Sequence, residues 1–334
     1  MHAKTLHEQG IFVCFPPFLF PGNRMSGSTD DNIITSDEAF HFVRDVLGIS
    51  APSTKLKASP KDFLEDIIRA YFHHIPFQNV KNIATPHHKR HVPTVAEIKQ
   101  DILKAKIGGL CYQVNVCFYL LLKALDFDVT LIACDIGYPS DHVAIIVHNM
   151  TNEGSRHYVD VGTGNPLFCA VPFDFQDESP VYHDSFLRFK FSRQGDVIFC
   201  LHQVDGHPAK HTMVANRITD GWYRYIRIHF KEGVEIAHFK PSMTPIYVSS
   251  DGIPRHYFLT SVRCVAFPDC RFVCIKDTTL LIENESGCIS KSYFRSREET
   301  KEAFAKYFPQ ISQAMLDEAM NDEYAKLDYE KGIL

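Results

Sequence analysis

The chain has 334 residues, 45% of them hydrophobic and 22% charged, with a formal net charge of −5. That length suits two or three domains with a large core, and the acidic balance excludes a general nucleic-acid binder, which would carry a basic surplus. No uninterrupted apolar run approaches the roughly 20 residues that a membrane helix needs, so no membrane partner is expected.

Ten cysteines at irregular spacing are too sparse for a disulfide scaffold. They read as reduced, buried small apolar residues, which implies a reducing compartment, the cytoplasm. The run Phe12 to Phe20 looks like a signal peptide at first sight. Pro16 and Pro17 break it and no A-x-A-like cleavage site follows, so it is read as part of an N-terminal extension over residues 1–34.

Thr35 opens a capping box with Glu38, and Phe40, Val43 and Leu47 follow at helical spacing until Gly48. Ser59-Pro60 starts a second helix, with Phe63, Ile67, Ala70 and Tyr71 as its apolar stripe, ending before Pro76. His87-His88-Lys89-Arg90-His91 reads as a solvated basic loop. Thr94 and Glu97 form another box, and after Gly108-Gly109 a helix runs from about Cys111 through Val114, Phe118, Leu121 and Leu125. The period then changes from 3.6 to 2: Val129 to Ile136, His142 to His148 and His157 to Val161 read as strands. In Trp222 to Phe230, the residues Trp222, Ile226, Ile228 and Phe230 should share one face, with Tyr223 and Tyr225 on the other. Further strands are expected near Arg263 and Phe272, and a helix after a box at Ser296 and Glu299. Helices, then strands, then a terminal helix predict an α+β fold with a barrel-like sheet.

Lys106-Ile107-Gly108-Gly109-Leu110-Cys111 is the most informative segment. A thiol at a helix start faces the positive end of the dipole, which favours thiolate, and backbone N–H groups there can form an oxyanion hole. Ser140-Asp141-His142 places an imidazole at a strand start, and Tyr158-Val159-Asp160 places a carboxylate near a strand end. Cysteine, then histidine, then aspartate is the order of papain-like sites. Cys111 would be the nucleophile, His142 its base and acid, and Asp160 the group orienting the ring. Asp141 is the weaker choice, because neighbours on a strand point to opposite faces. Asn115 lies one helical turn from Cys111 and can support the site; Gln113 is not on that side. Cys264, Cys270, Cys274 and Cys288 match no zinc spacing, so no metal is expected.

Four ordered segments carry a family resemblance: His74-Ile75-Pro76-Phe77-Gln78-Asn79-Val80, Lys106 to Asn115, Asp141-His142-Val143, and Tyr158-Val159-Asp160-Val161-Gly162. Together they resemble the arylamine N-acetyltransferases, as a divergent member. The resemblance implies a papain-like cysteine acyltransferase core in three parts: a helical bundle bearing the cysteine (35–125), a β-barrel bearing histidine and aspartate (126–235), and an α/β lid with the C-terminal helix (236–334). It implies acetyl-CoA or another acyl-CoA as co-substrate, no tightly bound cofactor, and an arylamine or hydrazine acceptor. The cycle would be ping-pong, in a monomer. Substrate or CoA contacts would fall at Gly109, Leu110, Gly162, Thr163 and Gly164.

The chain also departs from that family. Lys106-Ile107 replaces the usual arginine, Leu110 stands where tryptophan is common, and Thr163 stands where a phenylalanine lines the acceptor pocket. A thiol hydrolase, a CoA-independent amide synthase on the same triad, or a catalytically silent binding relative therefore remain alternatives.

Overall fold

The computed structural model describes residues 33–249, 253, 256–325 and 327–330. Most of the 1–34 extension, including the Phe12 to Phe20 run, lies outside them. The fold is α+β, with helices over the first third, a curled nine-stranded antiparallel sheet, then a five-stranded antiparallel sheet backed by helices.

The helix starts follow local chemistry. Thr35 and Glu38 exchange both capping-box hydrogen bonds, as do Thr94 and Glu97. Ser59 caps the helix Pro60–His74. The box at Ser296 is only half formed: Ser296 caps the Glu299 N–H, but the Glu299 carboxylate turns to the Arg295 N–H at 2.7 Å. The helices Pro52–Ala58 and Gln313–Asn321 had no clear signal in the periodicity. The basic loop is not solvated throughout. Arg90 is buried: its Nε and Nη2 donate to the carbonyls of Thr85 and Ile83 and to Asp322 Oδ2 at 2.6 Å, which offsets much of the cost of burying a guanidinium, while Nη1 has no partner among the described residues.

In the large sheet the strands run Val171–Pro172, Arg156–Val159, His142–His148, Val129–Asp135, Trp222–Val234, Val197–Gln203, Leu187–Gln194 and Tyr182–Asp184, with Ile218–Thr219 also pairing to Trp222–Val234. The ladder does not close strand to strand. The chain leaving the far edge is tied to strand Leu187–Gln194 by a single bridge at Glu178 and Ser192, and the Arg193 side chain adds to it, donating to the carbonyls of Phe173 and Phe175. The inner face is filled by aromatic rings, among them Tyr158, Phe173, Phe191 and Phe230.

One register change corrects the alternation expected for Trp222 to Phe230. Pairing shifts between Arg224 and Ile226, so Tyr225 is the extra residue of a bulge. The bulge turns Tyr225 inward with Ile226, Ile228 and Phe230. Trp222 falls on the other face, where Lys190 lies over its ring at 4.9 Å.

The outer face of strand His142–His148, through Val143, Ile145 and Val147, packs on the helix Cys111–Ala124. Eleven residues of that helix are buried, so it runs through the protein as a core rod rather than along its surface. A separate cluster joins the five-stranded sheet to the C-terminal helices. The first and last thirds of the chain meet at Phe77–Gln78, a short strand paired with Arg263–Ala266. Asn79 secures this join: its Nδ2 donates to the carbonyls of Phe258 and Ser261, and its Oδ1 accepts from the Arg263 N–H at 2.7 Å.

Candidate active site

The approach to Cys111 is built by two segments clasping each other. Gly108 has φ +72°, and a Cβ there would lie 1.8 Å from the Pro76 carbonyl oxygen. The Gly109 N–H donates to Pro76 O at 3.3 Å, and the Gly109 carbonyl accepts from the Gln78 N–H at 2.9 Å. A Cβ on Gly109 would meet Gln113 at 2.5 Å. Only glycines fit this turn, and it delivers Cys111 as the first residue of the helix.

Gln113, which points away from the thiol, has a role that sequence reading missed. Its Oε1 accepts from the Leu110 N–H at 3.2 Å and from Tyr247 OH at 3.1 Å. Asp101 and Lys81 continue that buried network. Gly109 and Leu110 thus hold the turn behind Cys111, and neither lines the cavity that Cys111 faces.

His142 and Asp160 come from neighbouring strands with matching parity. His142 pairs with Cys134, and Tyr158 with Ile146, which puts His142 and Asp160 on the inner side of the curled sheet at its mouth. His142 Nε2 donates to Asp160 Oδ2 at 2.7 Å, with both side chains buried. Asp160 accepts three further bonds: from Tyr158 OH at 2.8 Å, Asn115 Nδ2 at 2.9 Å and the Gly162 N–H at 3.0 Å. Asn115 also donates to Val143 O and accepts from the Val161 N–H, tying the cysteine's helix to both strands. A Cβ on Gly162 would lie 2.4 Å from Asn115 Nδ2, so that glycine is required by contact. Asp141 does not serve the ring: it caps a turn on the cavity wall, accepting from the N–H groups of Ile136, Gly137 and Tyr138.

The electrostatics follow from this saturation. Burial alone would push the His142 imidazole down, but the Asp160 carboxylate outweighs it and the value rises to about 10; the neighbouring Cys111 thiol acts in the same direction. Burial would raise the Asp160 carboxyl, but His142, Asn115 and Gly162 together hold it below its ordinary value. His142 Nδ1, the nitrogen left for the thiol, has no hydrogen bond of ordinary geometry. The thiol is close enough to influence the ring without a tight bond, a looseness common before substrate binds.

Cys111 and His142 open onto a cavity of about 480 Å³, which Gly162, Thr163 and Gly164 also line. That size suits a drug-sized ligand. Among the described residues, no cluster of three or more histidine, cysteine, aspartate or glutamate side chains is arranged to hold a metal.

Fold and site together define a papain-like α+β scaffold carrying a cysteine, a histidine and an aspartate at the mouth of one cavity. A family model described as N-acetyltransferase matches residues 62–312. The chain belongs to that family of enzymes. Among solved structures, the Mycobacterium marinum arylamine N-acetyltransferase in complex with CoA superposes with a TM-score of 0.67 at 15% identity, over 85% of this chain and 99% of that one. The Nocardia farcinica arylamine N-acetyltransferase gives 0.67 at 17% identity, over 89% and 96%. A probable arylamine N-acetyltransferase 2 from Dictyostelium discoideum is 29% identical over 83 residues, a match spanning 23% of this chain and 28% of that relative's length.

Proposed function

We propose that this protein transfers an acyl group, acetyl in the simplest case, from acyl-CoA to the nitrogen of an arylamine or hydrazine through a thioester on Cys111. The observation that carries this reading is the buried series of thiol, imidazole and saturated carboxylate at the mouth of a cavity. Family membership and the CoA in the Mycobacterium marinum structure support the choice of donor.

In the first half-reaction His142 holds the Cys111 proton, and the thiolate attacks the thioester carbonyl. The carbon–sulfur bond to CoA breaks, and His142 returns the proton to the departing sulfur. In the second half, the amine nitrogen attacks the acyl-enzyme, His142 takes its proton, and Cys111 leaves as thiolate. Asp160 keeps the ring oriented and stabilises its charge, as in other triads. Gly162, Thr163 and Gly164 contact substrate, while Gly109 and Leu110 act through the turn they hold. The free thiols among the described residues suit a reducing, cytoplasmic setting, and we expect a monomer.

Mass spectrometry after exposure to acetyl-CoA tests the reading. One added acetyl group is expected on the wild type and none on Cys111→Ala; an acetylated Cys111→Ala protein overturns the mechanism. Release of the acetyl group to water without an amine would point instead to a hydrolase.

A further inference from the structure

The cavity beside Cys111 has a second wall that the proposed chemistry does not use. The strand Val197–Gln203 places His202 on the inner side of the curled sheet, paired with Phe189 and Tyr223. His207 follows in the next turn. The two imidazoles stack at 5.5 Å between centroids and 24° between planes; Tyr225 lies 4.3 Å from His202, and Phe186 meets His207 edge-on. Both histidines are more than nine-tenths buried and both line the cavity. A void of about 10 Å³ touches His202, Tyr225, Thr163 and Asp160, so this wall adjoins the catalytic series directly.

The tautomer of His207 is settled by its surroundings. The Ala209 N–H donates to His207 Nδ1 at 3.0 Å, so Nδ1 is the acceptor and the neutral ring carries its proton on Nε2. That Nε2 has no partner among the described residues, and neither does His202 Nδ1. Burial holds the His207 ring down at about 4 and the His202 ring well below its ordinary value, so both are neutral at physiological pH. Two neighbouring polar groups on the cavity wall are already engaged: Asp141 by three backbone N–H groups, and Thr163 Oγ1 by the Asn165 N–H. His207 lines the cavity and holds a buried, neutral donor that no described residue satisfies. An occupant with an oxygen there satisfies it, whereas an apolar occupant of the same shape leaves it stranded.

We propose that His207, held by its stack on His202, donates from Nε2 to an uncharged carbonyl oxygen at the end of the acceptor amine remote from its nitrogen, and so selects acceptors that carry one. The inference rests on the proposed function above and names the acceptor class of that same cavity. The groups around His207 are the uncharged rings of His202 and Phe186, with Tyr225 against His202, and they suit an uncharged oxygen, which can be desolvated without a counter-charge. The Arg263 guanidinium on the same cavity wall lies over Tyr257 and Phe258 instead.

The test compares 4-aminoacetophenone with 4-isopropenylaniline, in which a CH₂ replaces the ketone oxygen. The ratio of their kcat/KM values is measured for wild type, His207→Phe and His207→Gln. Phenylalanine keeps the stack and removes the donor, whereas glutamine restores one. The ketone-to-alkene ratio is expected to fall about tenfold in His207→Phe and to recover in part in His207→Gln. Taking the wild-type-to-variant quotient cancels the amines' intrinsic reactivity and any loss of folded protein. A ratio unchanged in His207→Phe, or reduced equally in both variants, overturns the proposal. A wild type that acylates Cys111 but shows no such change overturns this inference alone. If Cys111 never acylates, the proposed function falls, and calorimetric binding of the two amines to unacylated protein still decides the role of His207: ketone preference lost in His207→Phe supports it, and equal binding of both amines to wild type overturns it.

Discussion

On the Cys111 side of the cavity, the Asp160 carboxylate accepts four hydrogen bonds, and His142, Asn115, Tyr158 and Gly162 all serve it. On the side built from strand Val197–Gln203 and the turn after it, two buried imidazoles keep ring nitrogens with no partner among the described residues and no carboxylate to serve. On the Cys111 side the one such nitrogen is His142 Nδ1, the one left for the thiol. A saturated buried charge holds one geometry, because moving any member strands another. An unsaturated buried donor costs the protein stability while the cavity is empty and repays it only on binding. The first arrangement suits chemistry that must not wander, and the second suits recognition.

Asp160→Ala should break the contrast most severely. It leaves a buried imidazolium without its counter-charge and strands three other donors, so a loss of about 3–5 kcal/mol in urea denaturation is expected, with no measurable acyl transfer. Gly162→Ala comes next. Its Cβ must push on Asn115, so about 1–3 kcal/mol is expected in the same assay, as for an overpacked core. Tyr158→Phe removes one of four donors while keeping the ring, and about 1 kcal/mol is expected, with Cys111 still acylated.

The smallest effect sharpens the comparison through pH. His142 titrates higher in the folded protein than its unfolded value of roughly 6.5. Its contribution to stability is therefore complete below that pH and is lost as pH rises through about 10. His207 titrates lower when folded, so its contribution is present above roughly 6.5 and is lost as pH falls toward about 4. Denaturation profiles of His207→Phe should lack part of the acid-side decline and keep the alkaline one. An unchanged acid limb would show that His207 is not buried and neutral in solution.

Much of the Cys111 wall was legible in the sequence because its cues are local. A Gly-Gly turn before a helix, a strand beginning at His142, and alternation that sets Asp160 apart from Asp141 all act within a few residues. Asn115 followed from a single helical turn. Gln113 was passed over because its partners Asp101, Leu110 and Tyr247 meet only when helix, loop and C-terminal segment pack together. The histidine wall was invisible for a similar reason. The hairpin Leu187–Gln194 and Val197–Gln203 that carries His202 drew no attention, and its pairing with Trp222–Val234 is non-local. The inward turn of Tyr225 depends on a bulge, which a strict period of two cannot foresee. Arg90 looked solvated because its carboxylate partner, Asp322, lies far along the chain.

The join at Phe77–Gln78 bears on how the enzyme matures. The Gly108–Gly109 turn leans on this strand, and the strand leans on Arg263–Ala266 through Asn79. A nascent chain that has emerged only as far as the curled sheet already contains cysteine, histidine and aspartate, but not the brace that seats the thiol's turn. Reactivity at Cys111 should therefore appear late in synthesis, once the last third of the polypeptide has docked, which would spare a half-made chain from premature modification.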